Sequence, residues 1–283
     1  MHAILATEQI APSVHRFRIH APEVARERAP GQFVIVQLDD FAERVPLTIA
    51  DADADTGSIT LIFQAVGRTT HLLAERGVGG YIPHVLGPLG QPTHIEPVGR
   101  VTCVAGGIGA APLHPIAKAH KQAGNSVRVI LGARSAELMI LREEFAALAD
   151  ELVLCTDDGS LGRKALVTEP LAECCRSDTP PDEVVAIGPP VMMKYCAETT
   201  RPFGIHTVVS LNSIMIDGTG MCGGCRVTVG GQTRFTCVDG PEFDGHLVDF
   251  DTAMLRLGAY RTEEEEAHHR CHLELGLDRE GEA

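Results

Sequence analysis

The sequence predicts an N-terminal antiparallel β-barrel, then an α/β domain on a parallel sheet, then a small C-terminal module too short to hold a core of its own. Three observations lead there. Short alternating apolar runs extend to about residue 97; from Arg100 apolar strand runs alternate with helix-length segments; after Ser210 a Gly- and Cys-rich stretch replaces both periodicities. The expected units are 1–97, 98–210 and 211–250, with a C-terminal helix or acidic tail over 251–283.

In the first unit Val14–His20, Gln32–Leu38 and Ser58–Gln64 alternate apolar and polar residues and are separated by Pro30-Gly31 and Asp51–Gly57. That pattern fits strands with one face inward. In the second, strands are expected at Val101–Ala105, Val127–Leu131, Leu152–Cys155, Val184–Ile187 and Thr207–Val209. Helices are expected at Ala110–Ala123, Leu141–Leu148, Ala165–Cys175 and Val191–Thr200. The third unit has so little to bury that a bound metal centre would have to supply its order, since binding free energy becomes folding free energy in such a segment. Glu263–Glu266 followed by His268-His269 reads as a solvated acidic helix or frayed tail rather than a metal site.

Composition narrows the class. A net charge of −14, from 24 Lys+Arg against 38 Asp+Glu, opposes binding to phosphate backbones, so no nucleic acid partner is expected. No stretch approaches the roughly 18–20 apolar residues of a membrane span, and Met1-His2-Ala3-Ile4 lacks a basic region leading into an apolar run. A cytoplasmic setting is the expectation. Nine cysteines are an odd number and three of them lie close together, which suits metal chemistry better than a disulfide framework. Cys103, Cys155, Cys174, Cys175, Cys196 and Cys271 read as free thiols without a role.

Candidate sites follow the chain. Arg44-Val45-Pro46-Leu47-Thr48 closes one barrel strand and opens the next; the arginine can neutralise a pyrophosphate, and Thr48 is the expected catalytic residue, whose backbone and hydroxyl could face a flavin ring edge. A surface arginine before a strand-starting proline is the bland alternative. Gln64, Val66, Gly67, Thr69 and Thr70 follow a strand and lead into a helical run at His71–Ala74, and backbone N–H groups at a helix start bind phosphate. The two segments, inside one barrel, suggest one bound FAD.

Gly106, Gly107, Ile108, Gly109 and Pro112 stand directly after a strand and open a helix, the logic of a dinucleotide site, although the glycine fingerprint is imperfect. Arg134, the pair Asp157 and Asp158, and the run Gly188, Pro189 and Met192 lie at later strand ends that border the same crevice. Asp157 and Asp158 read equally well as turn formers. Arg134 could meet a 2′-phosphate, which leaves NADP(H) open beside NAD(H).

The sharpest motif is Asp217, Cys222, Cys225 and Cys237: four residues separate Asp217 from Cys222, two separate the next pair, and eleven precede Cys237. Loops around [2Fe–2S] centres place a first cysteine where Asp217 stands, and the glycines permit a tight wrap. All four are therefore the proposed metal ligands. A structural zinc site, which also accepts three cysteines and a carboxylate, is the competing reading. A turn formed by Asp217 with Gly218 is the bland one.

Taken together these residues resemble the ferredoxin–NADP+ reductase superfamily in its electron-transfer-subunit branch, over about residues 1–260. Arg44–Thr48 matches the FAD motif, Gly106–Pro112 the nucleotide motif, and Gly188-Pro189 with Met192-Met193 the late loop beside the nicotinamide. Plant-type reductases carry a cysteine before that Gly-Pro; here it is Ile187, so no thiol acts there. Within the branch the chain is similar to dihydroorotate dehydrogenase electron-transfer subunits. It is more similar to the small (alpha) subunits of NADH-dependent reduced ferredoxin:NADP+ oxidoreductase, also met as sulfide dehydrogenase, because Asp217 takes the first ligand place and because of Cys237–Gly245.

The resemblance implies a relay from NAD(H) through FAD and a [2Fe–2S] cluster to a larger flavoprotein and iron–sulfur subunit resembling the glutamate synthase small chain. That partner would carry a second FAD and [4Fe–4S] clusters, and the complex would reach ferredoxin and bifurcate electrons. A non-catalytic redox-sensing module is the alternative from another class; rapid NADH-driven turnover separates the two.

Overall fold

The computed structural model describes residues 1–267, so His268-His269 and Cys271 lie outside the described residues. The first sheet is antiparallel throughout. Its strands are β1 (His2–Ala11), β2 (Val14–His20), β3 (Phe33–Gln37), β4 (Val45–Asp53), β5 (Ser58–Gln64), β6 (Tyr81–Ile82) and β7 (His84–Leu89), in the order β6-β1-β2-β5-β4-β3-β7. Because β6 and β7 are consecutive in the chain yet sit at opposite ends of that order, the sheet curls into a nearly closed barrel. Helices α1 (Pro22–Glu27) and α2 (Arg68–Ala74) close it off.

The period-two pattern does what it should. On β2, Phe17 and Ile19 are buried while Arg18 between them is exposed, and β5 meets β2 residue for residue from Val14↔Gln64 to His20↔Ser58. Phe17 packs edge-on against Phe63 with centroids 5.1 Å apart, the arrangement favoured by the aromatic quadrupole.

The second sheet orders β11-β10-β9-β8-β12-β13-β16. The contributing strands are β8 (Arg100–Gly106), β9 (Ser126–Ala133), β10 (Glu151–Thr156), β11 (Arg163–Lys164), β12 (Glu183–Ile187) and β13 (His206–Ser210). They are crossed by α3 (Ala110–Gln122), α4 (Arg142–Leu148), α5 (Thr168–Arg176) and α6 (Pro190–Thr200). Every pairing among β8–β13 is parallel. The middle strand β8 is buried from Val101 to Gly106, as it must be with helices on both faces. Chain order reverses at β8, with β9 on one side and β12 on the other, which makes the ends of β8 and β12 the switch point where ligands of such sheets bind.

The C-terminal module holds a hairpin, β14 (Arg226–Val229) and β15 (Gln232–Phe235), then α7 (Thr236–Asp239), β16 (Glu242–Asp244) and α8 (Phe250–Leu257). Although β16 falls within the stretch expected to form a separate module, it pairs antiparallel with β13, Val209 opposite Phe243. The module is thereby stitched to the edge of the second sheet. Residues 261–267 are helical, in keeping with the acidic run there.

Candidate functional site

A cleft of about 1040 Å³ opens between the barrel and the C-terminal ends of the second sheet. From the barrel come Val45, Pro46, Leu47, Thr48, Gln64, Val66 and Thr70. From the switch point come Gly106, Gly107, Ile108, Gly109, Pro112, Gly188, Pro189 and Met192, and from the neighbouring strand ends Arg134 and Asp157. Residues picked from six separate segments of sequence thus share one cavity wall.

Glycine is needed where the two switch-point loops cross. A Cβ on Gly109 would lie 2.3 Å from the Ile187 carbonyl oxygen and 2.9 Å from the Gly188 Cα, backbone atoms that cannot swing away. Gly107 takes φ +55°, a backbone that most side chains resist. The run after β8 therefore serves both purposes at once: it lets loops touch, and it leaves backbone open to a ligand.

Four expected residues stand outside the cleft lining, each for a visible reason. Arg44 is exposed and donates from Nε to Gln37 Oε1 at 3.3 Å. Thr69 donates its hydroxyl to Glu43 at 3.1 Å. Gly67 lies in the turn that Thr70 closes, Thr70 Oγ1 accepting from the N–H groups of Val66 and Gly67 and donating to the Gly67 carbonyl. Asp158 accepts from both the N–H and the hydroxyl of Ser160, at 2.9 and 2.6 Å, and the Ser160 hydroxyl holds it below the usual carboxylate range.

Sequence reasoning missed Gly31, Phe33, Tyr195, Ser210, Asn212 and Met215, which also line the cleft. Tyr195 could have been found: it follows Met192 by one helical turn, so the two share a face of α6. Phe33 and Met215 gave no signal beyond being apolar, yet they matter most. Both also belong to a buried cluster with Ile35, Cys225 and Cys237. Phe33 in addition sits opposite Thr48 in the β3–β4 register. Phe33 and Met215 thus belong both to the cleft lining and to the apolar cluster that holds the cysteines.

The cysteine loop is pinned onto the barrel. Gly218, at φ +76°, lies so close to β3 and β7 that a Cβ would meet Leu89 at 2.6 Å and Ile35 at 2.7 Å. Cys225 and Cys237 are 1% and 2% exposed, and the Cys225 thiol donates towards Cys237 with the sulfurs 3.2 Å apart. Burial, aided by Cys225 and by the negative charge of Asp217, pushes the Cys237 thiol up to about 12. Two facing thiols in an apolar setting, with Cys237 resisting ionisation, suit a cationic centre, whose charge would offset that resistance and favour the thiolate.

Asp217 and Cys222 are arranged differently. Asp217 Oδ1 accepts from the Thr219 N–H at 2.8 Å, and Oδ2 accepts from the Cys222 N–H at 2.6 Å. Cys222 is exposed, with its sulfur accepting from the Gly224 N–H at 3.4 Å. The four proposed ligands thus fall into two pairs, Cys225 with Cys237 through their sulfurs and Asp217 with the backbone of Cys222. Among the described residues no three His, Cys, Asp or Glu side chains are gathered closely enough to hold a metal ion.

Comparison with known proteins shows the family. Residues 212–249 match the iron–sulfur cluster binding domain of dihydroorotate dehydrogenase B, and residues 103–198 match the oxidoreductase NAD-binding domain. A Thermotoga maritima protein described as a homolog of the dihydroorotate dehydrogenase B (NAD(+)) electron transfer subunit is 47% identical over 270 residues, covering 95% of each chain. The corresponding electron transfer subunit of Desulforamulus reducens is 32% identical over 85% of this chain and 94% of its own. The chain belongs to the dihydroorotate dehydrogenase B electron-transfer subunit family.

Membership makes it an oxidoreductase subunit with a flavin-type barrel, an NAD-binding domain and an iron–sulfur domain, as the motifs led one to expect. A chain from the structure of an NADH-dependent reduced ferredoxin–NADP oxidoreductase, studied for flavin-based electron bifurcation, superposes with a TM-score of 0.90 at 46% identity, covering 95% of this chain and 97% of that one. More distant reductases, such as an Amycolatopsis cytochrome P450 reductase at TM-score 0.60 and 21% identity, share the fold alone. Among the described residues no helix is long and apolar enough to cross a membrane.

Proposed function

We propose that this chain passes electrons between NAD(H) and a larger flavoprotein and iron–sulfur subunit, resembling the glutamate synthase small chain, within a cytoplasmic NADH-dependent reduced ferredoxin:NADP+ oxidoreductase. The observation that carries this reading is that Phe33 and Met215 line the cleft and also belong to the buried cluster that holds Cys225 and Cys237. Such proximity is what electron passage between a flavin and a cluster requires.

In this reading Val45–Thr48, Gln64, Val66 and Thr70 hold FAD against the barrel, with Arg44, Gly67 and Thr69 closing on its pyrophosphate from the rim. Gly106–Gly109, Pro112, Gly188, Pro189 and Met192 present backbone to NAD(H), with Arg134, Asp157 and Asp158 towards its ribose end. Asp217, Cys222, Cys225 and Cys237 hold a [2Fe–2S] centre. A flavin held there would supply two-electron exchange with a nicotinamide and one-electron exchange with an iron–sulfur centre. What the protein contributes is proximity and dryness: a hydride donor and acceptor held in contact need little acid–base help.

Asp217 at the first ligand place, where the resemblance is to the bifurcating relative, and the TM-score of 0.90 to the NADH-dependent reduced ferredoxin–NADP oxidoreductase chain favour that relative over the dihydroorotate dehydrogenase subunit. The test is association. Purified alone, the chain should oxidise NADH with an artificial acceptor yet fail to couple NADPH oxidation to ferredoxin reduction; with its larger partner it should do so. Coupling by the chain alone would overturn the assignment, as would co-purification with a dihydroorotate-oxidising subunit.

A further inference from the structure

The loop between Cys222 and Cys225 is gripped by two arginines from outside it. Arg226 Nη1 donates to the Gly223 carbonyl at 3.1 Å, and Arg256 Nη2, reaching across from α8, donates to the Gly224 carbonyl at 3.1 Å. The Gly223 carbonyl belongs to the same peptide unit as the Gly224 N–H, which points at the Cys222 sulfur from 3.4 Å. One planar group therefore links a guanidinium on one side to a cluster-ligand sulfur on the other.

The arrangement is built in by the sequence. A Cβ on Gly223, at φ +65°, would lie 3.3 Å from Arg226 Nη1, so glycine there leaves Arg226 its close approach. Arg256 is brought into range by α8, which is capped by Asp249, accepting from the Thr252 N–H at 3.0 Å, and tied to α6 by the Lys194–Asp251 ion pair at 2.7 Å. Neither arginine forms an ion pair with a carboxylate among the described residues. Their charge is left to act on the loop.

We infer that Arg226 and Arg256 are positioning residues that raise the reduction potential of the centre held by this loop, Arg226 by polarising the peptide whose N–H faces the Cys222 sulfur and Arg256 by holding a positive charge on the adjoining carbonyl. The physics has two parts. Hydrogen bonds and positive charge near the sulfurs favour the reduced, more negative state of an iron–sulfur centre. A peptide whose carbonyl accepts from a cation donates more strongly through its N–H, because linked hydrogen bonds reinforce one another. Arg226 acts through the Gly223–Gly224 peptide onto Cys222, and Arg256 through its charge at the Gly224 carbonyl, one residue before Cys225. The inference rests on the ligand assignment above and adds what sets the working potential.

The experiment is a redox titration of the full chain carrying its cofactors, monitored by electron paramagnetic resonance and paired with iron and sulfide content. Arg226→Gln and Arg256→Gln should each keep the wild-type iron and sulfide content and lower the midpoint potential, and the double variant should lower it further. Arg226→Lys, which keeps the charge but loses the fork, should fall between wild type and Arg226→Gln. Should Arg226→Gln bind too little iron to titrate, Arg226→Lys and Arg256→Gln carry the same test. Unchanged midpoints in variants with full clusters would overturn the inference. A wild-type chain holding zinc, or no iron, would instead overturn the ligand assignment, so the two failures are distinguishable.

Discussion

Glu242 offers a perturbation whose size can be worked out. It stands on β16, where the stitched module meets the barrel, and its Oε1 accepts from the Thr93 hydroxyl at 2.6 Å. Gly31 lies so close that a Cβ there would fall 2.7 Å from the same carboxylate oxygen. Burial, opposed by the Thr93 hydrogen bond and reinforced by the charge of Glu183, pushes the carboxyl up to about 7 from an ordinary value of 4.5. A folded-state pKa above the unfolded one means that the native state holds the proton more tightly. Its contribution to stability is therefore complete below the unfolded pKa and is lost as pH rises through the folded one.

Glu242→Gln keeps the shape and an oxygen for Thr93, and removes the titration. Each tenfold change in proton affinity corresponds to about 1.4 kcal/mol; allowing for the solvent that reaches a half-buried residue, the variant should gain about 2 kcal/mol over wild type at pH 8 and nothing at pH 4.5. For a domain of this size that is a rise of about 4–8 °C in Tm. Thermal unfolding of both proteins at several pH values, with FAD and NADH saturating, reads it directly. Curves that stay parallel from pH 4.5 to pH 8 would refute the burial of the carboxyl and with it this description of the junction.

Other outcomes follow from the site. Arg44→Ala removes a positive charge at the flavin end of β4 and should weaken FAD binding by about 1.5–3 kcal/mol, a loss of about 10- to 150-fold; equal FAD retention after gel filtration at low concentration would count against the contact. Gly109→Ala drives a methyl against the Ile187 carbonyl, so the KM for NADH should rise by about tenfold or more while the flavin spectrum stays as it was, in line with about 1–3 kcal/mol for a clash that backbone cannot relieve. Asp217→Cys should retain a [2Fe–2S] centre with an altered paramagnetic spectrum and Asp217→Ala should leave it labile. An unaltered spectrum and midpoint in Asp217→Cys would mean that the carboxylate only closes the turn through Thr219 and Cys222.

How much of this was legible in sequence depended on how local the cause was. The strands at Val14–His20 and Ser58–Gln64 show in their alternation because each packs one face inward, and their observed bounds are the expected ones. The parallel strands and their helices showed for the same reason, in longer apolar runs. β1 did not, because its outer residues are polar and only Ile4 is buried along it. β16 did not either, since three residues owe their strand to β13 rather than to any pattern of their own. Within the site, glycines after strands and clustered cysteines announce themselves by residue type. Phe33 and Met215 do not: an apolar side chain that bridges a cleft and a cysteine pair looks, in sequence, like any other core residue. The arginine grip on Gly223 and Gly224 depends on where α8 lands, which no spacing encodes.

The most direct test of the relay is an anaerobic titration of the purified, cofactor-loaded chain with NADH, following flavin absorbance and the paramagnetic signal of the reduced cluster together. If Phe33 and Met215 are all that separates the two centres, the flavin should bleach and the cluster signal should appear in the same titration, without any partner present. A flavin that bleaches fully beside a loaded cluster that stays silent, even on prolonged incubation, would contradict the account.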